Sequence, residues 1–313
     1  MMEPKKKLLM VILNFNNYNA TINCVKQILI YTTIQEETDI VIVDNNSTND
    51  SYNILRKAFL TVKNVILLKT TINGGYSYGN NFGIRYACNK KMYKYIGITN
   101  PDVSFNGDIF KPLINTLDTH SELAMISCRN NKYNDFNIKE QAWNIPTSNE
   151  LWKQHFLLNR DDLTPNTFKI IDTNLIQVEL IPGSFFIIDA VIFKKIGYFD
   201  ENVFMYNEEI ILGIKLKKIN KKCALLLSEY YLHNHPKISH NEVWKSYKHN
   251  FKSIVRKYSY TYASRKYVCQ AYYGSNGLFK LKLVNVANKV LLYLKHLISL
   301  FKVPKCQFKV ERK

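Results

Sequence analysis

The carboxylates that could do chemistry in this 313-residue chain stand at the ends of apolar runs. Asp102 follows Tyr95-Ile96-Gly97-Ile98-Thr99-Asn100-Pro101, a buried-strand pattern closed by a proline. Proline cannot donate to a ladder and forces the residue before it into an extended shape, so the strand stops near Asn100. Asp102 is thereby delivered just past a strand's carboxyl end, the edge at which open α/β sheets bind ligands. A carboxylate there can hold a divalent cation, and the cation can hold a diphosphate. The alternative is turn chemistry alone, since Asn-Pro-Asp is a common turn. Asp44 ends a second apolar run, Ile40-Val41-Ile42-Val43, and precedes a cluster of helix N-caps from Asn45 to Asp50, so capping is its simplest duty. Asn73-Gly74-Gly75 lets the backbone approach a ligand closely ahead of a helix whose N–H groups suit an anion, or it is an ordinary turn. Glu208-Glu209 opens another helical pattern, where carboxylates complement the helix dipole whatever else they do.

Alternating elements must position these groups. Residues 8–14 are continuously apolar to Leu13, as a strand buried on both faces should be. Helical spacing over 20–30, a strand over 40–43, a helix to about Phe59, a strand over 65–68, a helix over 77–88 and the strand before Asp102 complete a β-α-β-α-β-α-β series. That order implies a parallel sheet covered on both faces. Residues 130–175 read as polar and irregular around Trp143 and Trp152, room for an acceptor loop. Strands at 177–180, 184–188 and 224–227 and a helix at 208–218 follow. Over 278–302, Val284, Ala287, Leu291, Leu294, Ile298 and Phe301 recur at helical spacing, with Asn285, Asn288, Lys289, Lys295, His296, Ser299 and Lys302 largely opposite.

The net charge of +18 is unevenly placed. The first 210 residues carry 21 basic and 22 acidic side chains, whereas the last 103 carry 22 and 3. A near-neutral body with a cationic tail suggests a tail seeking an anionic surface. Six scattered cysteines without a CxxC pair read as reduced thiols. The apolar run at Leu8 is too short for a signal peptide's core, and no run suggests a membrane span.

Five stretches in order carry a resemblance: Val11-Ile12-Leu13-Asn14-Phe15-Asn16; Val41 to Ser47; Asn73 to Ile84; Thr99-Asn100-Pro101-Asp102-Val103; and Gly197 to Glu201 with Phe204 to Glu209. Together they resemble the inverting nucleotide-sugar glycosyltransferases of family 2, and within them the rhamnosyltransferase-like enzymes of bacterial surface polysaccharide assembly. The resemblance implies an α/β class of GT-A fold, with a Rossmann-like, mostly parallel central sheet flanked by helices and a basic helical C-terminal extension. It divides the chain into a glycosyltransferase domain at 1–240, with a nucleotide-binding half to about 105, and a C-terminal region at 241–313.

It also implies roles. Asp44 would accept the N–H of a uracil or thymine ring, with Asn14, Asn16, Asn46, Asn73, Gly75, Asn81 and Asn100 completing nucleotide binding. Asp102 matches the last aspartate of the family's DxD metal motif, and Asn100 replaces the first. One Mg²⁺ or Mn²⁺ would then be held weakly until the diphosphate adds oxygens. Glu209, with Glu208 second, matches the catalytic carboxylate pair that takes the acceptor's proton. Ile211 stands where the family carries a further aspartate. His233 matches a histidine near the metal, with His235 and Ser239 close by, and neutral imidazole suits Mn²⁺; a buried structural histidine is its alternative. Gly183-Ser184 resembles the acceptor-side segment. The implied partners are a UDP- or dTDP-sugar donor and a saccharide or lipid-linked acceptor of capsule, lipopolysaccharide or another surface glycan. The tail implies an anionic membrane surface, reached from the cytoplasm at the inner face of the membrane. Two other readings stand beside this one. A degenerate partner subunit would explain Asn100, Glu209 and Ile211. A nucleic-acid binder would use Tyr258, Tyr260, Tyr262 and Tyr267, although it leaves the five motifs unexplained.

Overall fold

The computed structural model describes residues 6–130, 137–156, 167–234 and 249–301. The apolar runs of the first hundred residues become strands β1 (Lys6–Asn14), β2 (Thr38–Asp44), β3 (Val65–Lys69) and β4 (Tyr93–Thr99). Helices α1 (Tyr18–Tyr31), α2 (Ser51–Phe59) and α3 (Gly75–Cys88) connect them. The four strands pair in parallel in the order β3-β2-β1-β4. β1 is apolar at consecutive positions because both of its faces are covered. Leu8, Met10 and Ile12 pack with Val25, Ile28 and Leu55 on one side, while Leu9 and Val11 meet Val43, Ile84 and Ile98 on the other. Each such side chain contributes about 1.5–3 kcal/mol by leaving water. α3 lies close on the sheet at Gly79, where a Cβ would stand 2.3 Å from Leu13 Cδ1.

The second half adds β5 (Val103–Ser104), α4 (Phe110–Thr119), β6 (Leu123–Arg129), α5 (Ile138–Gln141) and α6 (Ser148–His155). Then come β7 (Lys169–Ile170), β8 (Leu175–Val178), β9 (Phe185–Asp189), α7 (Ala190–Lys195), α8 (Glu208–Lys218), β10 (Lys222–Tyr230) and β11 (Leu232–His233). The nine-stranded sheet runs β3-β2-β1-β4-β9-β6-β10-β8-β7, and β5 pairs separately with β11. β9 enters antiparallel between β4 and β6; β10 runs parallel to β6, and β8 antiparallel to β10. α4, β5 and β6 were not anticipated from sequence.

Two long helices, α9 (Phe251–Tyr272) and α10 (Leu278–Phe301), follow. They pack on the body through a third cluster that includes Leu151, Ile211, Ile214, Val268 and Leu281. The expected domain boundary near 240 lies outside the described residues. The tyrosines of α9 are in part structural: Tyr258 is buried, and the Tyr267 hydroxyl donates to Asp200 at 2.9 Å.

α10 corrects the expected face. Its inner seam is Leu281, Asn285, Asn288, Leu292 and Ser299, all buried, while Leu294 and Ile298 are exposed. The polar seam has partners: Asn288 Nδ2 donates to the His155 carbonyl, and the Tyr258 hydroxyl to the Asn285 carbonyl. By length and composition α10 is also apolar enough to cross a membrane, which the sequence reading had denied. Among the described residues Cys24, Cys88, Cys128, Cys223 and Cys269 are free thiols.

Candidate active site

Strand order reverses at β1, with β2 on one side and β4 on the other. A doubly wound sheet opens a crevice at the carboxyl ends of such strands. A cleft of about 700 Å³ lies there. Of the residues singled out from sequence, Asn73, Gly75, Asn100, Asp102, Gly183, Ser184, Glu208, Glu209 and His233 line it.

Asp102 and His233 meet because two short strands bring them together. β11 pairs antiparallel with β5, placing His233 opposite Val103 and Leu232 opposite Ser104. His233 Nε2 lies 3.4 Å from Asp102 Oδ1. The Asn234 N–H closes the same turn on the Asp102 carbonyl at 3.1 Å. One carboxylate oxygen and one imidazole nitrogen, both at the cleft, form a chemically sound pair for Mn²⁺ or Mg²⁺. Among the described residues no third His, Cys, Asp or Glu completes a cluster. The pair therefore fits an ion that takes its other ligands from a diphosphate and water. His235 and Ser239 lie outside the described residues. Cys24 beneath Asp102 is no nucleophile: burial pushes its thiol up to about 12, and the Asp102 charge adds to that.

Glu208 and Glu209 begin α8 after a turn in which Tyr206 and Asn207 both have positive φ, 74° and 64°. The helix is fixed by buried Ile210, Ile211, Leu212 and Ile214. Ile211 belongs to the cluster under α9 and α10, which accounts for an apolar side chain there. Tyr76 stands beside both carboxylates. Burial, then the charges of Glu208 and Glu209, push its phenol well above the usual range, so it stays a neutral donor. It donates to the Gly183 carbonyl at 2.7 Å. The next residue, Ser184, shares a 2.8 Å hydroxyl bond with Tyr231 and accepts the Asn100 N–H at 2.8 Å. The Gly183-Ser184 segment thus ties the carboxylate side of the cleft to the Asp102 side.

Other expected ligands take part in hydrogen bonds within the fold. Asp44 is fully buried and does not line the cleft. Its oxygens accept from Asn14 Nδ2, at the end of β1, at 2.8 Å and from the Ser47 N–H at 2.9 Å. Neither does it cap α2, whose N-cap position is Asp50. Asn14, also fully buried, braces Asp44 and accepts from the Thr21 hydroxyl. Asn16 pins the loop after β1 to that after β2 by accepting from the Thr48 N–H. Asn46, at φ 58°, shapes the same turn. Asn16 and Asn46 do not line the cleft either. Asn81 accepts from the Phe199 N–H and donates to the Phe199 carbonyl and Glu201 Oε1, which occupies both of its amide hydrogens. The anion site expected at the start of α3 is partly taken: the Gly75 N–H goes to Asn73 Oδ1 and the Tyr76 N–H to the Phe204 carbonyl. Gly75 has φ +87°, and a Cβ there would stand 2.0 Å from that carbonyl oxygen.

The cleft also holds residues that sequence reasoning passed over: Phe15, Asn17, Asn45 and Tyr206. Asn45 follows Asp44 directly, and adjacency to a strand end was the available signal. Its Nδ2 bridges Asn73 Oδ1 and the Gly75 carbonyl, each at 3.0 Å. Trp143, noted from sequence for its type alone, lines the wall as well.

Residues 10–197 match the model of glycosyl transferase family 2. The chain is 27% identical over 207 residues to the low-salt glycan biosynthesis hexosyltransferase Agl10 of Haloferax volcanii, covering 66% of this chain and 62% of that protein. Among solved structures, it resembles GalNAc-T7 with UDP, GalNAc and Mn²⁺ at TM-score 0.55 and 13% identity, over 78% of this chain and 48% of the other. It resembles the mannosyltransferase PcManGT of Pyrobaculum calidifontis, solved with GDP-Man and Mn²⁺, at 0.54 and 14%, over 96% and 82%. S. aureus TarS with UDP-GlcNAc aligns at 0.51 and 15%, over 75% and 60%. The match thus spans less than two thirds of the hexosyltransferase and about half of GalNAc-T7. The structural likenesses establish the fold, which is GT-A.

Proposed function

This chain belongs to glycosyl transferase family 2, and from that premise and its cleft we propose that it is an inverting glycosyltransferase using a UDP- or dTDP-sugar. The carrying observation is that the Asp102–His233 pair and the Glu208–Glu209 pair line one cleft. In the proposed reaction the acceptor hydroxyl oxygen bonds to the anomeric carbon as the carbon–oxygen bond to the diphosphate breaks. The bond pair leaves with the diphosphate, and Glu209 takes the hydroxyl proton. Asp102 and His233 would hold a divalent ion, which when bound would neutralise charge on the departing diphosphate. Asn73, Asn100 and Asn45, which line the same cleft, would grip the nucleoside, and Tyr76 holds the Gly183-Ser184 segment through the Gly183 carbonyl.

Nucleotide sugars or nucleotides in the related solved structures support the donor class. A relative named for glycan biosynthesis supports a saccharide or lipid-linked glycan acceptor. The five motifs support the rhamnosyltransferase-like branch, and with it a surface glycan as product. The test is a panel of labelled UDP- and dTDP-sugars with Mn²⁺ and lipid-diphosphate or saccharide acceptors, followed by NMR of the product's anomeric configuration. Transfer with inversion is expected; retention, or no turnover of any donor, would overturn the reading.

A further inference from the structure

α10 wears its apolar side outward. Phe279, Leu283, Val286, Val290, Tyr293 and Leu297 recur at intervals of four and three, so they form one stripe along the helix. All six are exposed, from 51% at Leu297 to 73% at Phe279. The stripe lies opposite the buried Leu281–Asn288–Leu292 seam by the 100° advance per residue. Isolated exposed apolar residues need no explanation, but a contiguous stripe marks an interaction surface. Lys282 and Lys289 fall on one flank of it and Lys280 on the other, all exposed. Residues 249–301 carry nine Lys or Arg and no Asp or Glu.

We propose that this stripe seats the protein on an anionic lipid bilayer, with α10 lying in the plane of the interface. An apolar stripe between cationic flanks is what an interfacial helix requires: the stripe enters the acyl boundary while the lysines reach lipid phosphates. A second copy of this chain fits less well, because stripe-to-stripe packing would bring lysine flanks together with no carboxylate to pair them. A spanning helix fits less well too. It would carry Lys282 and Lys289 into hydrocarbon and break the Asn288–His155 bond that holds the inner seam. The proposal rests on α10 alone and does not depend on sugar transfer.

The test is flotation of the full chain with phosphatidylcholine vesicles, with and without phosphatidylglycerol. It is repeated for the triple variant Leu283→Ser, Val286→Ser, Val290→Ser and for Lys282→Glu with Lys289→Glu. These side chains are exposed, so circular dichroism and thermal unfolding should match wild type. The expected result is binding to anionic vesicles only, release by alkaline carbonate, and a fall in partitioning of about tenfold or more in each variant. Equal binding to neutral vesicles, no binding, resistance to carbonate, or a dimer in sedimentation that the triple variant abolishes would overturn it.

Discussion

Acidification should loosen the joint between the C-terminal helices and the body, because His155 is built into it in neutral form. His155 ends α6 and is fully buried. Arg265 Nη1 approaches Nδ1 at 3.2 Å and can only donate, so Nδ1 is bare. Nε2 therefore carries the proton and donates to the Tyr258 hydroxyl at 2.7 Å. Burial first, then the Arg265 charge, push His155 from 6.5 down to about 3. A histidine depressed in the folded state stabilises the fold above its unfolded value, and that stability is lost as pH falls from about 6.5 towards 3. Each pH unit in the window costs about 1.4 kcal/mol, so the loss between pH 6.5 and 5, before most carboxylates titrate, is about 2 kcal/mol. Urea unfolding of wild type and His155→Gln at pH 7 and pH 5 measures it. The glutamine amide can accept from Arg265 and donate to Tyr258 without titrating. The variant should lose about 2 kcal/mol less than wild type over that interval. Identical losses in the two proteins would refute a neutral, buried His155.

Gly75→Ala should cost about 2–5 kcal/mol in thermal or urea unfolding, from positive φ and the Phe204 carbonyl together. Gly183→Ala, whose added Cβ meets only the Tyr76 hydroxyl at 3.7 Å, should unfold near the wild-type midpoint. Asn81→Ala should cost about 2–4 kcal/mol by orphaning the Phe199 N–H and carbonyl, with UDP affinity by calorimetry unchanged. Asp102→Asn should weaken Mn²⁺-dependent nucleotide binding by about tenfold or more, and a chelator should erase its difference from wild type.

The parallel half of the fold was legible because its inner strands are buried on both faces; β2 is buried at all seven positions and spells Thr-Asp-Ile-Val-Ile-Val-Asp. β6 hid behind its polar letters. Ser127, Cys128 and Arg129 are as buried as its alanine, and Ser127 is satisfied by the Phe185 carbonyl. The Asp102–His233 meeting depends on a two-residue strand pair, too short for any pattern; the strand-end position of Asp102 and the family resemblance at His233 are what pointed to the two members. A carboxylate at a strand end looks the same in sequence whether it faces a ligand or braces the loops around it, and only the structure reveals the bonds from Asn14 and Ser47 to Asp44. α10 was misread because a helix apolar over most of its girth does not declare which side the body covers. Only the Asn285 and Asn288 contacts decide that.

In the proposed reaction Glu209 takes the acceptor's proton while Asp102 and His233 serve the donor's diphosphate. Steady-state transfer by Glu209→Gln, with donor binding measured on the same protein, tests it most directly. kcat should fall by about 10²–10⁴-fold with donor affinity unchanged; a Glu209→Gln enzyme turning over at the wild-type rate would contradict that role.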